Sequence, residues 1–246
     1  AVALGTGVMI GAGIFALLGQ VADLSGTLFP LAFLVGAVIS YFSAYTYIKL
    51  SNAYPSAGGI AMYLKKAYGP GTITAAGSLL MAFSMVIGQS LVARTFGAYT
   101  LQLFDVQKNS IWVPILGVLL LVVAFLINIS GNKVIGRSSL MMAVIKIGGL
   151  AIFAIGGLWA AGFSFAEALP SSVSGDYTAT SYIAALAFTI LAYKGFTTIT
   201  NSGGEIVNPN KNVGRAIMIS LFICTLVYLL VALAVSANLS IPEILA

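Results

Sequence analysis

A chain of 246 residues that is 60% hydrophobic and 7% charged cannot cover a soluble core with polar surface, since a soluble domain carries roughly 25% charged residues. The net charge of +5 comes from a few lysines and arginines beside apolar runs and not from a basic face, so no nucleic-acid partner is expected. There is no histidine and one cysteine, Cys224, which excludes an internal disulfide framework and leaves neither metal nor cofactor expected.

The apolar surface must therefore face lipid. Mean hydropathy is +1.06, and residues 1–22, 24–48, 67–93, 109–132 and 216–242 contain no Asp, Glu, Lys or Arg. Each run reaches the roughly 20 residues that a helix needs to cross the hydrocarbon. Backbone groups in lipid must be satisfied within the segment, which favours helices, and the ten-residue alternation of a membrane barrel is missing. The first run holds five glycines and lacks a basic start, so it reads as a span and not as a cleaved signal peptide. The chain starts at Ala1 and stops just after an apolar run; it reads as a piece of a longer protein.

Seven spans are expected, at 2–22, 30–52, 72–103, 111–129, 135–161, 179–206 and 213–238. Pro30, Pro55, Pro70, Pro114, Pro170 and Pro209 stand near span ends or in connections, and Pro242 follows the last span. Proline thus punctuates these helices and does not kink their middles.

Span one carries Gly5, Gly7, Gly11 and Gly13 within nine residues. Each glycine costs a helix about 1 kcal/mol relative to alanine. Two readings are open: small residues that let helices approach closely, or an interrupted helix. Span three carries Arg94 and span five carries Lys146 near its middle. Such charges at membrane depth are either functional or long side chains that snorkel to an interface. Span six is interrupted by Lys194 and Gly195, followed by Thr197, Thr198, Thr200, Asn201 and Ser202.

The remaining charges give an orientation. With a cytoplasmic N-terminus, the inner connections carry Lys49, Lys65, Lys66, Lys133, Arg137, Lys211 and Arg215, and the outer ones only Lys108. That bias is the positive-inside pattern of a multi-pass protein of the cell membrane. Asp23, Asp105, Glu167, Asp176 and Glu243 fall outside and Glu205 inside.

Interrupted spans one and six lie five apart, the pattern of a transporter built from two inverted five-span repeats. Residues 1–162 would form the first repeat. Residues 163–246 would supply an outer loop, broken helix six and helix seven of an incomplete second repeat. Half-helix N-termini offer amides to an anion, and half-helix C-termini offer carbonyls to a cation. A site with both suits a zwitterion, and hence an amino acid.

Four stretches then resemble one family in order along the chain. Ile10-Gly11-Ala12-Gly13-Ile14-Phe15 is similar to the first-helix glycine motif of the amino acid–polyamine–organocation transporters. Tyr54-Pro55-Ser56-Ala57-Gly58-Gly59 with Tyr63 resembles the loop after their second helix. Leu191-Ala192-Tyr193-Lys194-Gly195-Phe196 resembles their broken sixth helix, and Glu205 through Arg215 the segment that follows. The resemblance implies an all-α five-plus-five inverted-repeat fold, truncated to seven helices, with helices one and six broken. It implies a substrate carboxylate at Gly11, Ala12 and Gly13, and an amino group at the carbonyls of Ile10, Leu191, Ala192 and Lys194, with Ile14 and Phe188 beside the pocket.

The resemblance also gives Lys146 a coupling role. Its ammonium matches a lysine that stands in sodium-independent members where sodium-coupled relatives bind their ion, and loss of its proton would release the carbonyls of helix one. Relatives often carry a bulky aromatic at the Leu191 position and proline at Gly214; Gly204 replaces the first of an acid pair. Glu205 is then a lone acid near Lys211 and Arg215, read either as a cytoplasmic gate contact with Arg215 or as a solvated loop charge. The implied function is a sodium-independent amino acid permease, proton-coupled or exchanging, working by alternating access in the lipid bilayer. A membrane amino-acid sensor on the same fold is the alternative. An enzyme is not expected, since no carboxylate or metal cluster is present for acid–base work.

Overall fold

The computed structural model describes residues 1–104, 111–163 and 178–245, and for Ala12, Asn132 and Lys133 the backbone alone. Asp105, Lys108, Glu167, Pro170 and Asp176, in the expected outer connections, lie outside the described residues. Among the described residues the regular structure is helical. Six stretches are long and apolar enough to cross a bilayer; the first, Val2–Ala53, is two helices joined by a 3₁₀ turn. The seven expected spans are thereby accounted for, and the chain is a multi-pass membrane protein. Side chains such as Phe42, Leu80, Ile152 and Trp159 are at least 70% exposed, as a lipid-facing surface requires.

The helices group into two compact units. The first comprises Ala1–Gly59 and Met142–Ala246. Helix α1 (Val2–Ser25) ends at Gly26, whose positive φ of 54° turns the chain into the 3₁₀ segment Gly26–Leu28. Helix α2 (Phe29–Ala53) then begins with Pro30 in its first turn, where a missing amide costs nothing.

The second unit is Ile60–Met141. It holds most of α3 (Gly59–Tyr68), then α4 (Thr72–Gln102), α5 (Trp112–Ile129) and the start of α6 (Asn132–Ala160). Helices α4 and α5 cross at two glycines. A side chain at Gly97 would strike the backbone of Val113, and one at Gly117 would lie 2.9 Å from Ala93 O. Arg94 is exposed and lines a cavity of about 720 Å³ with Ser90, Ala93, Pro114 and Leu121. Helix α3 was expected as part of a connection. It forms because Ile60, Tyr63, Leu64 and Ala67 recur at helical spacing, and Lys65 and Lys66 in its last turn suit the negative end of the helix dipole.

Within the first unit, α7 (Ala179–Tyr193) starts at Thr178, whose hydroxyl accepts the Ser181 amide at 3.2 Å. A 3₁₀ turn at Lys194–Phe196 and the short α8 (Thr197–Asn201) continue the same span. Span six is therefore interrupted where the sequence places it, although it ends at Asn201 and not at 206. Helix α9 (Pro209–Asn238) starts four residues earlier than expected, because Pro209 takes the first helical position after Asn208 in the left-handed region. Helix α10 (Ile241–Leu245) closes the described chain.

One expectation needs correction. Helix one is not broken: α1 runs unbroken through Gly5, Gly7, Gly11 and Gly13, none of which adopts a positive φ. The reason is tertiary. At Gly5 an added side chain would collide with Ile199, and at Gly13 with Tyr228 and with Ala192 O. These glycines permit close packing against the interrupted span and α9, which offsets their poor helix propensity.

Candidate functional site

The core of the first unit lies where α1, α2, the interrupted span and α9 meet. Phe33, Tyr193 and Tyr228 are fully buried there. The Tyr193 ring lies 5.1 Å from the Tyr228 ring, and Phe33 meets Tyr228 edge-on at 5.7 Å, distances at which aromatic pairs attract. The Tyr193 hydroxyl donates to Phe33 O at 3.3 Å, which ties α7 to α2.

Tyr228 does more. Its hydroxyl donates to Met9 O at 2.5 Å and stands 3.4 Å from Ala192 O. One side chain on α9 thus reaches carbonyls of α1 and of α7 beside the interruption. The same region brings the backbones together: a side chain at Gly195 would lie 2.8 Å from Met9 N and 3.1 Å from its α-carbon. The 3₁₀ turn can seat against α1 only because position 195 is glycine.

On the other side of α1, Lys146 donates from Nζ to Gly7 O at 3.1 Å. Its ammonium also faces Gly11, where an added β-carbon would lie 3.3 Å away. A second side-chain bond, from Asn238 Nδ2 to Gly157 O at 2.9 Å, ties α6 to the end of α9. The half-buried ammonium therefore has a defined partner: a carbonyl within the glycine-rich segment.

The other sequence-selected residues fall as follows. Ile10 and Ile14 are 0% and 3% exposed, so both residues belong to the core of the first unit. Ala12 lies in α1 between Gly11 and Gly13. Phe188 and Leu191 stand one turn apart on α7, the first half-buried and the second exposed. The carbonyls of the interruption already have partners. Leu191 O accepts the Lys194 amide, and Lys194 O accepts both the Thr197 amide and the Thr197 hydroxyl, the latter at 3.0 Å. The side chain of Lys194 is half-buried.

Glu205 and Arg215 are both exposed and border one cavity of about 530 Å³ with Asn212, Ile206 and Ile219. No ion pair joins them among the described residues. Gly214 has a packing reason: a side chain there would lie 2.8 Å from Ile48 on α2.

Tyr228 was missed by sequence reasoning. The signal was one hydroxyl-bearing ring within the apolar run 216–242, since a buried tyrosine hydroxyl usually finds a partner.

These features define a class: a helical multi-pass membrane protein in which an interrupted helix packs on a glycine-rich one. A family model described as amino acid permease matches residues 1–246, and the chain belongs to that family. It is 35% identical over 247 residues to the uncharacterized protein MJ0609 of Methanocaldococcus jannaschii, which covers 100% of this chain and 55% of the relative. It is 32% identical over 246 residues to the inner membrane transport protein YbaT of Escherichia coli, 99% of this chain and 56% of the relative. Identity to the serine/threonine exchanger SteT of Bacillus subtilis is 27% over 248 residues, 99% of this chain and 55% of the relative. The chain spans about half the length of these curated relatives.

Proposed function

We propose that the whole protein is a secondary transporter for amino acids, working by alternating access without sodium. The observation that carries this reading is the contact of the Lys146 ammonium with Gly7 O over Gly11. A fixed cation there does for the carbonyls of α1 what a bound sodium ion would do, so a metal ion is redundant. Membership of the amino acid permease family supports the substrate class, and relatives named as a transport protein and an exchanger support flux.

The substrate binds between Ile10–Ile14 of α1 and the interruption at Leu191–Lys194. Its carboxylate takes the amides of Gly11, Ala12 and Gly13, and its amino group takes the carbonyls of Ile10, Leu191, Ala192 and Lys194. Because α1 is continuous and its amides are engaged, binding opens the helix locally. Two glycines in that segment make the opening cheap, at about 1 kcal/mol of lost propensity each. Phe188 and Leu191 cover the pocket, and Glu205 and Arg215 close its cytoplasmic end. In this reading residues 1–162 form the first repeat, residues 163–246 begin the second, and the N-terminus is cytoplasmic. Proton symport and exchange both fit a titratable Lys146.

The full-length protein in sodium-free liposomes should take up labelled amino acids. A strict sodium requirement, or no uptake across a panel of the common amino acids, would overturn the reading.

A further inference from the structure

The start of α9 carries two cations, Lys211, which the transport reading does not use, and Arg215, which that reading places at the cytoplasmic end of the pocket. Lys211 and Arg215 are four residues apart and hence on one helix face. Both are exposed, and among the described residues neither side chain makes a hydrogen bond or ion pair. Glu205 borders the neighbouring cavity with Arg215 without pairing to it.

Opposite this face stands the end of α2. Ile48 and Asn52 of α2, with Lys211, Arg215, Met218 and Ile219 of α9, line a groove of about 380 Å³. Gly214 sets its depth, since a side chain there would meet Ile48. The polar and apolar parts are ordered along the helix. The cations stand in its first two turns, where the span leaves the membrane. Met218 and Ile219, 45% and 49% exposed, stand one turn further in, and Phe222, 63% exposed, one turn beyond. At about 1.5 Å per residue, the apolar wall begins within ~10 Å of Lys211 and runs towards the bilayer centre.

We propose that this groove binds an anionic phospholipid. Its phosphate sits between Lys211 and Arg215, and an acyl chain lies along Ile48, Met218 and Ile219. Charge complementarity selects the headgroup, and the exposed apolar wall selects a lipid over a soluble anion. Bases that serve only to orient the chain would interact with the membrane diffusely, with no groove to retain one molecule through purification.

Native mass spectrometry of the purified full-length protein tests this with added phosphatidylglycerol and phosphatidylcholine of matched acyl chains. Phosphatidylglycerol should be retained in preference. The double substitution Lys211→Gln with Arg215→Gln should weaken its retention roughly tenfold or more. The charge-matched pair Lys65→Gln with Lys66→Gln on α3 should leave it unchanged. The swap Lys211→Arg with Arg215→Lys should keep binding, which separates loss of charge from loss of fold. Equal retention of both lipids, equal loss in both double variants, or displacement of phosphatidylglycerol by equimolar inorganic phosphate would overturn the proposal. The readout is lipid retention and not uptake, so failure of the transport reading would leave it standing.

Discussion

Lys146 and Tyr228 grip α1 from opposite sides. Lys146 holds Gly7 O and faces Gly11, while Tyr228 holds Met9 O and faces Gly13. Residues 7 and 11 share one helix face and residues 9 and 13 another, and a two-residue offset rotates one face from the other by about 200°. One clamp is a cation from α6; the other is a neutral hydroxyl from α9 that also reaches the interrupted span. The glycines provide the space: a side chain at position 13 would displace the tyrosine, and one at position 11 would crowd the ammonium.

Gly13→Ala should therefore destabilise the full-length protein. Its β-carbon would collide with the Tyr228 hydroxyl and lie 2.9 Å from Ala192 O, and overpacking of this kind costs about 1–3 kcal/mol. Gly19→Ala is the control in the same helix. Its β-carbon would meet only Ile244 O, at an ordinary 3.8 Å, so it gains helix propensity without a clash. Thermal unfolding in detergent should place Gly13→Ala below the parent and Gly19→Ala at or above it. Equal midpoints for the two variants would contradict the packing described.

Tyr228→Phe keeps the ring contacts with Phe33 and Tyr193 and removes the bond to Met9 O. Alone it should cost about 1 kcal/mol, the usual net worth of a hydrogen bond. Together with Gly13→Ala it should show coupling, because loss of the hydroxyl removes the larger part of the clash. In a double-mutant cycle, Gly13→Ala should cost less in the phenylalanine background than in the parent. Strict additivity would mean that the hydroxyl does not face Gly13.

Much of this architecture is legible in the residues, and the parts that are not share a cause. Charge-free runs mark the spans because no soluble arrangement could hide them, and Lys194-Gly195 marks the interruption because both residues disfavour an apolar helix at mid-span. The continuity of α1 is not legible. Propensity counts what each glycine costs locally, while the compensation comes from Ile199 and Tyr228, distant along the chain. The partner of Tyr228 is hidden for the same reason: Met9 lies 219 residues away. Helix α3 is too short for a hydropathy signal, and its two lysines resemble those of an ordinary connection. The contact of Lys146 with helix one follows only from resemblance until the distance to Gly7 O is seen.

A separate prediction concerns the end of α9. Ser240 and Glu243 form a capping pair for α10: Glu243 Oε2 accepts the Ser240 amide at 2.8 Å and the Ser240 hydroxyl at 2.6 Å. These bonds hold the Glu243 carboxyl below the ordinary glutamate value. A depressed value means that folding favours the ionised form. The cap's contribution is present above the ordinary glutamate value and is lost as pH falls through the lower, folded one. In a carbon-detected NMR titration Glu243 should titrate below an unstructured glutamate, and Ser240→Ala should move it upward. No movement would show that the serine does not hold the carboxylate.

Lys146→Met tests the cationic clamp. Methionine is unbranched and apolar, so it retains much of the packing and removes the charge and the donor. Without the ammonium, Gly7 O loses a partner within the glycine-rich segment, and that segment should open more readily. Amide exchange at Gly7–Gly13 of the full-length protein should rise above the parent's, while exchange in the core of α9 stays unchanged. Uptake in sodium-free liposomes should fall to background, and added sodium should not restore it, because a side chain still occupies the space an ion would need. Lys146→Arg keeps the charge but cannot release its proton near neutral pH. It should therefore hold amide exchange near the parent level and still lose proton-dependent uptake. Parent-like, pH-dependent uptake in the arginine variant would remove proton release from Lys146's role and leave only the clamp.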